Sequence, residues 1–239
     1  VGLTGTLDDS KTHKLVLQGL FGTVNRVVST KQLIDKKQLA QLKVMCLNLK
    51  YPESESKKIY GVKYFEELEY LTQNTARNKY IRNLALALKG NTLLLFQLVE
   101  KHGEILHKLI QEKADPGRKV FFVYGGTETD DREKIRAITE KSDNAIIVAS
   151  FGTFSTGINI RNLHNIVFSS PTKSPIRVLQ SIGRGLRVGD KKDSATVYDI
   201  SDDLTYKDKK NFTLTHFQER VGIYNREGFN YEIHTVDLK

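Results

Sequence analysis

The sequence holds a single cysteine, Cys46, among 239 residues. That excludes a disulfide framework and a cysteine-rich metal site, and it points to a reducing, cytoplasm-like compartment. No apolar run approaches the roughly 20 residues that span a bilayer. The opening residues lack a basic stretch followed by an apolar core, so they do not read as a secretion signal. Repeats and low-complexity tracts are also missing. These absences argue against a membrane partner. What is there is the composition of a soluble globular protein, 39% hydrophobic and 27% charged. The length suffices for one large domain or two smaller ones with a substantial core.

The net charge is +9. Such a balance suits a polyanionic partner, most simply nucleic acid, although lysines that only keep a surface soluble would give the same figure.

The chain opens "VGLTGT", which reads as the end of a buried strand and a tight turn. Buried strands rarely open a domain, so the expectation is a piece cut inside a larger one. An amphipathic helix follows over residues 10–20, with Leu15, Val16 and Leu20 apolar and Gly22 as its stop. "NRVVST" reads as a short strand, "KQLIDKKQLAQL" as a short helix or linker and "KVMCLNLKY" as a strand. A polar stretch, "PESESKK", precedes two helices, "KYFEELEYLTQ" and "ARNKYIRNLALALKG", the second ended by Gly90. From there "TLLLF", "KVFFV", "AIIVAS", "NIVFSS" and "ATVYDIS" read as strands, with helices between them and a last helix carrying Phe217, Val221 and Tyr224 on one face. Strands alternating with helices imply a parallel sheet covered on both faces, and runs without polar alternation agree. In such sheets ligands bind beyond the carboxyl ends of the strands.

Three segments at those ends carry chemistry. In "YGGTETDDREKIR", Gly125 and Gly126 close a strand, and Thr127, Thr129 and Asp130 are placed to cap the next helix. Adjacent glycines there would let backbone N–H groups approach a phosphate, and a bound anion would explain Arg132, a cation at the positive end of a helix. In "IIVASFGTFSTGINI", a loop rich in Gly, Ser and Thr offers short donors to a nucleic-acid backbone. In "QSIGRGLR", Gln180, Arg184 and Arg187 share one helical face, with Gly183 and Gly185 clearing room beside it. Ser174 and Pro175 suit the start of that helix. Two glycines in a helix cost about 2 kcal/mol together. An arginine facing a transferred phosphoryl group is worth about 4–7 kcal/mol, which exceeds that cost.

"LTGT", "TLLLF", "IIVASFGTFSTGINI" and "QSIGRGLR", in this order, resemble motifs III, IV, V and VI of superfamily-two helicases. "GGTETDDREKIR" and "IYNREGF" are similar to the branch of phage recombination helicases. The resemblance runs nearly end to end. It implies an α/β fold of RecA-like parallel sheets with helices on both faces and ATP between two such domains. Residues 1–37 would be the tail of the first domain and a linker, and residues 38–239 the second domain with its C-terminal helix.

By resemblance, Arg184 and Arg187 reach the γ-phosphate of ATP, Arg187 as the finger, and Gln180 orients groups in the same cleft. Gly157 and Asn159 match the motif V positions near ribose and γ-phosphate, although many relatives carry Asp where Asn159 stands. Ser150 and Thr153, with Gly126, Thr127 and Arg132, would contact the nucleic-acid backbone. Thr4 and Thr6 would couple ATP state to domain closure. The partners implied are ATP with Mg²⁺ and DNA, branched or at single-strand/double-strand junctions, handled by a monomer in the cytoplasm.

The chain has no G-x-x-x-x-G-K-[ST] phosphate loop and no acidic motif for Mg²⁺, so it is expected to hydrolyse no ATP alone and to take its Mg²⁺ ligands from a preceding domain. A non-catalytic nucleic-acid-binding module would account for the charge but not for "QSIGRGLR". The motor of a restriction enzyme would share these motifs, yet no nuclease signature is present.

Overall fold

The computed structural model describes residues 11–23, 30–157, 160–172, 178, 181–183 and 194–239. The strands expected from "VGL" and "NRVVST", apart from Thr30, fall outside them.

Two helices come first, α1 (Lys11–Phe21) and α2 (Thr30–Asp35). Gly22 stops α1 as expected, with φ at +81° and its N–H bonded to Gln18 O at 2.9 Å. Strand β1 (Gln41–Lys50) leads to α3 (Glu53–Ile59), α4 (Tyr64–Gln73) and α5 (Thr75–Ala87). Then come β2 (Thr92–Phe96), a π-helical turn at Val99–Gly103, α6 (Glu104–Gln111), β3 (Val120–Val123), α7 (Thr129–Glu140), β4 (Ile146–Ser150), α8 (Phe151–Gly157) and β5 (Asn165–Phe168). The chain closes with β6 (Ser194–Asp203), α9 (Phe212–Glu227) and β7 (Asn230–Asp237).

All seven strands join one parallel sheet in the order β3-β4-β2-β5-β6-β1-β7. The apolar runs occupy its centre. Every residue of β2, β4 and β5 is buried, because helices cover both faces. On one face α5 and α6 bring Ile81, Ala85, Leu106 and Ile110 against Leu94, Phe96, Ile146 and Val148. On the other α2, α8 and α9 bring Ile34, Phe154, Phe217 and Tyr224 against Leu93, Leu95, Ile147 and Phe168. Each such side chain contributes about 1.5–3 kcal/mol by leaving water.

Three elements depart from the expectation. The polar stretch at residues 53–59 is a helix, with Glu53 and Glu55 in its first turn and Lys57 and Lys58 in its last, a charge order that suits the helix dipole. The last eight-residue strand, β7, has no buried run because it lies on the sheet edge against β1 alone. Helix α5 ends at Ala87, before Gly90, which takes φ +84° in the turn into β2 under the ring of His164.

Candidate functional site at the carboxyl edge

Strand register aligns the chemistry. Phe96 of β2 pairs with Ser150 of β4, Leu95 with Phe168 of β5, and Val123 of β3 with Ala149. The residues that follow Val123, Ala149, Leu95 and Phe168, namely Tyr124, Ser150, Phe96 and Ser169, therefore stand side by side along one edge, with Gln97 one residue further.

The turn after β3 is closed by its own side chains. Thr127 N–H bonds Tyr124 O at 3.0 Å, and Thr127 Oγ1 accepts from Tyr124 N–H at 3.0 Å. Thr127 thus ties the turn, and Glu128 rather than Thr127, Thr129 or Asp130 takes the N-cap position of α7, without a side-chain cap. Gly125 and Gly126 are exposed, and a Cβ on Gly126 would come within 2.7 Å of the Tyr124 ring. Arg132 reaches back to Gly125 O at 3.0 Å, so a backbone carbonyl already answers part of its charge at the start of α7. Its Nε is buried with no partner among the described residues.

The segment after β4 is a helix, α8, and not the open loop expected from its Gly, Ser and Thr content. Ser150 caps it. Its Oγ accepts from Thr153 N–H at 3.3 Å and lies 2.8 Å from Thr153 Oγ1. Phe151 and Phe154 supply the apolar face, at 2% and 0% exposure. Ser150 and Thr153 are buried and bonded to each other, which leaves exposed Gly152 as the neighbouring open surface. Gly157 closes the helix.

Beyond β5, Val178, Ser181, Ile182 and Gly183 are helical. Val178 and Ile182 are buried in the core, as their spacing in the sequence requires. Among the described residues, a Cβ on Gly183 would meet nothing within 4 Å. Thr4, Thr6, Asn159, Ser174, Pro175, Gln180, Arg184, Gly185 and Arg187 lie outside the described residues.

The residues that follow β5, Ser169–Thr172, are held at the first and the last of them. Arg77 of α5 is fully buried, pairs with Asp202 through Nε–Oδ1 at 2.8 Å and Nη2–Oδ2 at 3.1 Å, and donates Nη2 to Ser169 O at 2.8 Å. Arg220 of α9 pairs with Asp199 at 2.8 Å and donates Nη1 to Thr172 O at 3.0 Å. Tyr51 and Tyr224 complete the two carboxylates, at 2.9 and 2.7 Å. Burial, then the neighbouring carboxylate, raises both phenols well above their ordinary pKa. Between the clamps, Ser170 Oγ accepts from Gln97 N–H at 3.1 Å and lies 2.9 Å from His102 Nδ1. Burial, then the charge of Arg77, holds His102 well below its usual pKa, in its neutral form.

Residues 76–189 match the family described as helicase conserved C-terminal domain. The ATP-dependent DNA helicase uvsW of Enterobacteria phage T4 is 37% identical over 250 residues, 99% of this chain and 49% of that protein. Residues 76–189 belong to the helicase conserved C-terminal domain family, and the chain as a whole is similar to the C-terminal portion of superfamily-two helicases. It spans about half the length of this phage relative. The crystal structure of T4 UvsW superposes with a TM-score of 0.73 at 34% identity, over 84% of this chain and 42% of that one. The DNA-bound restriction-modification enzyme LlaBIII shares the fold, with a TM-score of 0.63 at 14% identity over 93% of this chain and 17% of that one.

Within this helicase portion, sequence reasoning missed the two arginine clamps. Arg77 lies 125 residues from Asp202, and nothing local announces the pairing. Arg220 was legible only as a charge inside an otherwise apolar helical face.

Proposed function

We propose that this chain is the C-terminal motor half of an ATP-dependent DNA helicase or translocase that remodels branched DNA in recombination, repair and replication. One observation supports the reading: the turn after β3 and the segment after β4, two of the segments singled out in the sequence, open side by side on one carboxyl edge of the sheet. The Tyr124–Gly126 turn and Gly152 give that edge exposed backbone suited to phosphate and sugar contacts that ignore sequence. In this reading Ser150 and Thr153 hold α8 in place, Thr127 holds the turn, and the strand meets the backbone around them together with Arg132.

Arg184, Arg187 and Gln180 face ATP across a cleft completed by a first motor domain, with Gly157 and Asn159 beside the ribose. Two guanidinium groups and a carboxamide suit a polyphosphate. In this reading the Mg²⁺ ligands belong to that first domain. ATP hydrolysis supplies the free energy for alternate grip and release. The residues before 38 are the tail of the first domain and a linker. In support, α1 exposes Leu15, Val16, Leu20 and Phe21 at 54–71%, an apolar face suited to a neighbouring domain. In this reading the protein works as a monomer in the cytoplasm of a host cell. No helix among the described residues is long and apolar enough to cross a membrane.

The test is ATP hydrolysis on branched DNA by a chain extended upstream through its first motor domain, with and without Arg187→Ala. A DNA-stimulated rate that falls by about 10³ or more supports the reading. An unchanged rate favours a nucleic-acid-binding module without turnover.

A further inference from the structure

A second basic surface lies on the same carboxyl edge, away from the helicase motifs. It is built from the ends of β1 and β6. The end of α3 and the turn into α4 carry Lys57, Lys58, Tyr60 and Lys63, all exposed. The loop between β6 and α9 carries Tyr206, Lys207, Lys209 and Lys210, with the three lysines exposed. The two segments meet ring to ring: Tyr60 and Tyr206 make a T-shaped contact at 5.4 Å. Lys209 sits over the Tyr60 ring at 5.6 Å and Lys207 over the Tyr206 ring at 5.7 Å. Lysines and aromatic rings thus alternate across a junction that the core does not need.

The loop is held in an unfavourable shape. Lys207 and Asp208 both have positive φ, 46° and 60°, between the reciprocal Tyr206–Lys209 backbone bonds of 3.2 and 3.0 Å. A two-residue turn of this kind ordinarily takes Asn and Gly. Keeping a lysine there fans Lys207 and Lys209 over the two rings.

Beside this junction lies a groove of about 370 Å³, with Tyr60, Lys209, Lys210 and Phe212 among its lining. Phe212 is 43% and Tyr60 47% exposed. Two carboxylates also reach the groove, Glu67 and Glu219. Glu67 is already answered: it accepts from Phe212 N–H, Thr213 N–H, Thr213 Oγ1 and Asn211 Nδ2 at 2.8–2.9 Å, which caps α9. Across residues 57–63 and 204–211, six lysines stand against one acid, Asp208.

We propose that this groove and its lysine rim bind a single strand of nucleic acid, with an unstacked base against Tyr60 and Phe212 and flanking phosphates on Lys207, Lys209 and Lys210. Exposed rings beside a cationic rim are how single strands are held without sequence preference. A duplex keeps its bases stacked and would not fill the groove. The site extends the reading that this helicase portion follows a nucleic-acid strand. It is separable from the motif surface: β1 stands four strands from β4 in the sheet, about 19 Å at the usual strand spacing.

The chain has no tryptophan, so Phe212→Trp places a sole indole at the groove. Titration of that variant with an oligothymidylate is expected to quench the indole, and the apparent affinity should fall with salt. Adding Lys207→Glu and Lys209→Glu should abolish the quench and reduce the salt slope by about 1.4, for two lost phosphate contacts. Tyr60→Ala in the otherwise unchanged chain should weaken oligothymidylate binding about tenfold, the effect of losing one stacked base. Circular dichroism checks that each variant is folded, and Lys207→Gln with Lys209→Gln gives a milder charge change if reversal unfolds the loop. No quench at saturating oligothymidylate, or equal competition by polyglutamate, overturns the proposal. A quench that survives Gly126→Ala and Arg132→Ala supports this site even if the motif surface fails to bind. Binding lost in those two variants but unchanged by lysine reversal overturns this site and leaves the motif reading standing.

Discussion

Arg77 and Arg220 come from helices on opposite faces of the sheet, yet they hold the two ends of one segment, Ser169 and Thr172, through their carbonyl oxygens. Each arginine is fixed in turn by an aspartate of β6.

Breaking either clamp should cost far more than its hydrogen bonds. Asp202→Ala leaves the Arg77 guanidinium buried and unpaired, and about 3–5 kcal/mol of stability should be lost. Arg77→Met with Asp202→Leu removes both charges and should recover much of that. Urea unfolding of the single and double variants measures the difference. Equal losses in the two would mean that the ion pair is not the source.

Cys46 should be inert in the folded chain. It is fully buried, and burial, then the nearby Asp199 carboxylate, pushes its thiol up to about 12. Little thiolate exists at neutral pH, and a thiol reagent has no access. Reaction with an aromatic disulfide should proceed only as fast as the core opens, and it should accelerate in urea. Prompt labelling in native buffer would contradict the packing of β1.

His102 makes stability depend on pH. Its folded pKa lies below the ordinary 6.5. The unfolded chain therefore takes up a proton that the folded chain refuses. The contribution is complete above pH 6.5 and is lost as pH falls from there towards the depressed folded value. His102→Gln, which keeps a polar partner for Ser170, should flatten that part of the stability curve between pH 7 and 5. An unchanged slope would assign it to other groups.

Gly126→Ala separates the turn's two roles. The exposed glycine contributes little to the core, and the Tyr124 ring can rotate away from an added methyl, so the unfolding free energy should change by less than about 1 kcal/mol. Nucleic-acid affinity should drop, because the methyl and displaced ring obstruct the exposed backbone. Unaltered binding would remove this turn from the strand path. Gly90→Ala is the contrast: its φ of +84° and the His164 ring 2.7 Å away should cost stability with no direct effect on binding.

How much of this was legible follows from where the forces act. "TLLLF" and "IIVAS" declared themselves because a strand covered on both faces has no reason to alternate. "NYEIHTVD" gave no such sign, since an edge strand packs on one neighbour and mostly faces water. "FGTFSTG" reads as a loop by composition, and the signal against it was Ser150 three residues before Thr153 with phenylalanines at 151 and 154. Arg132 read as an anion ligand because its carbonyl partner, Gly125, is visible only once the turn is folded. Tyr60 and Tyr206 lie too far apart in sequence to be read as neighbours.

The placement of β1 has a consequence for synthesis. Its two neighbours in the sheet are β6 and β7, the last strands to be made. At ordinary translation rates the interval from β1 to β6 is roughly 10–30 s, during which Leu42, Val44, Cys46 and Leu49 have no sheet to join. The nascent chain can assemble β2 to β5 early but must carry a bare hydrophobic strand until β6 and β7 emerge, so chaperone demand should track the exposure of β1 rather than the size of the core.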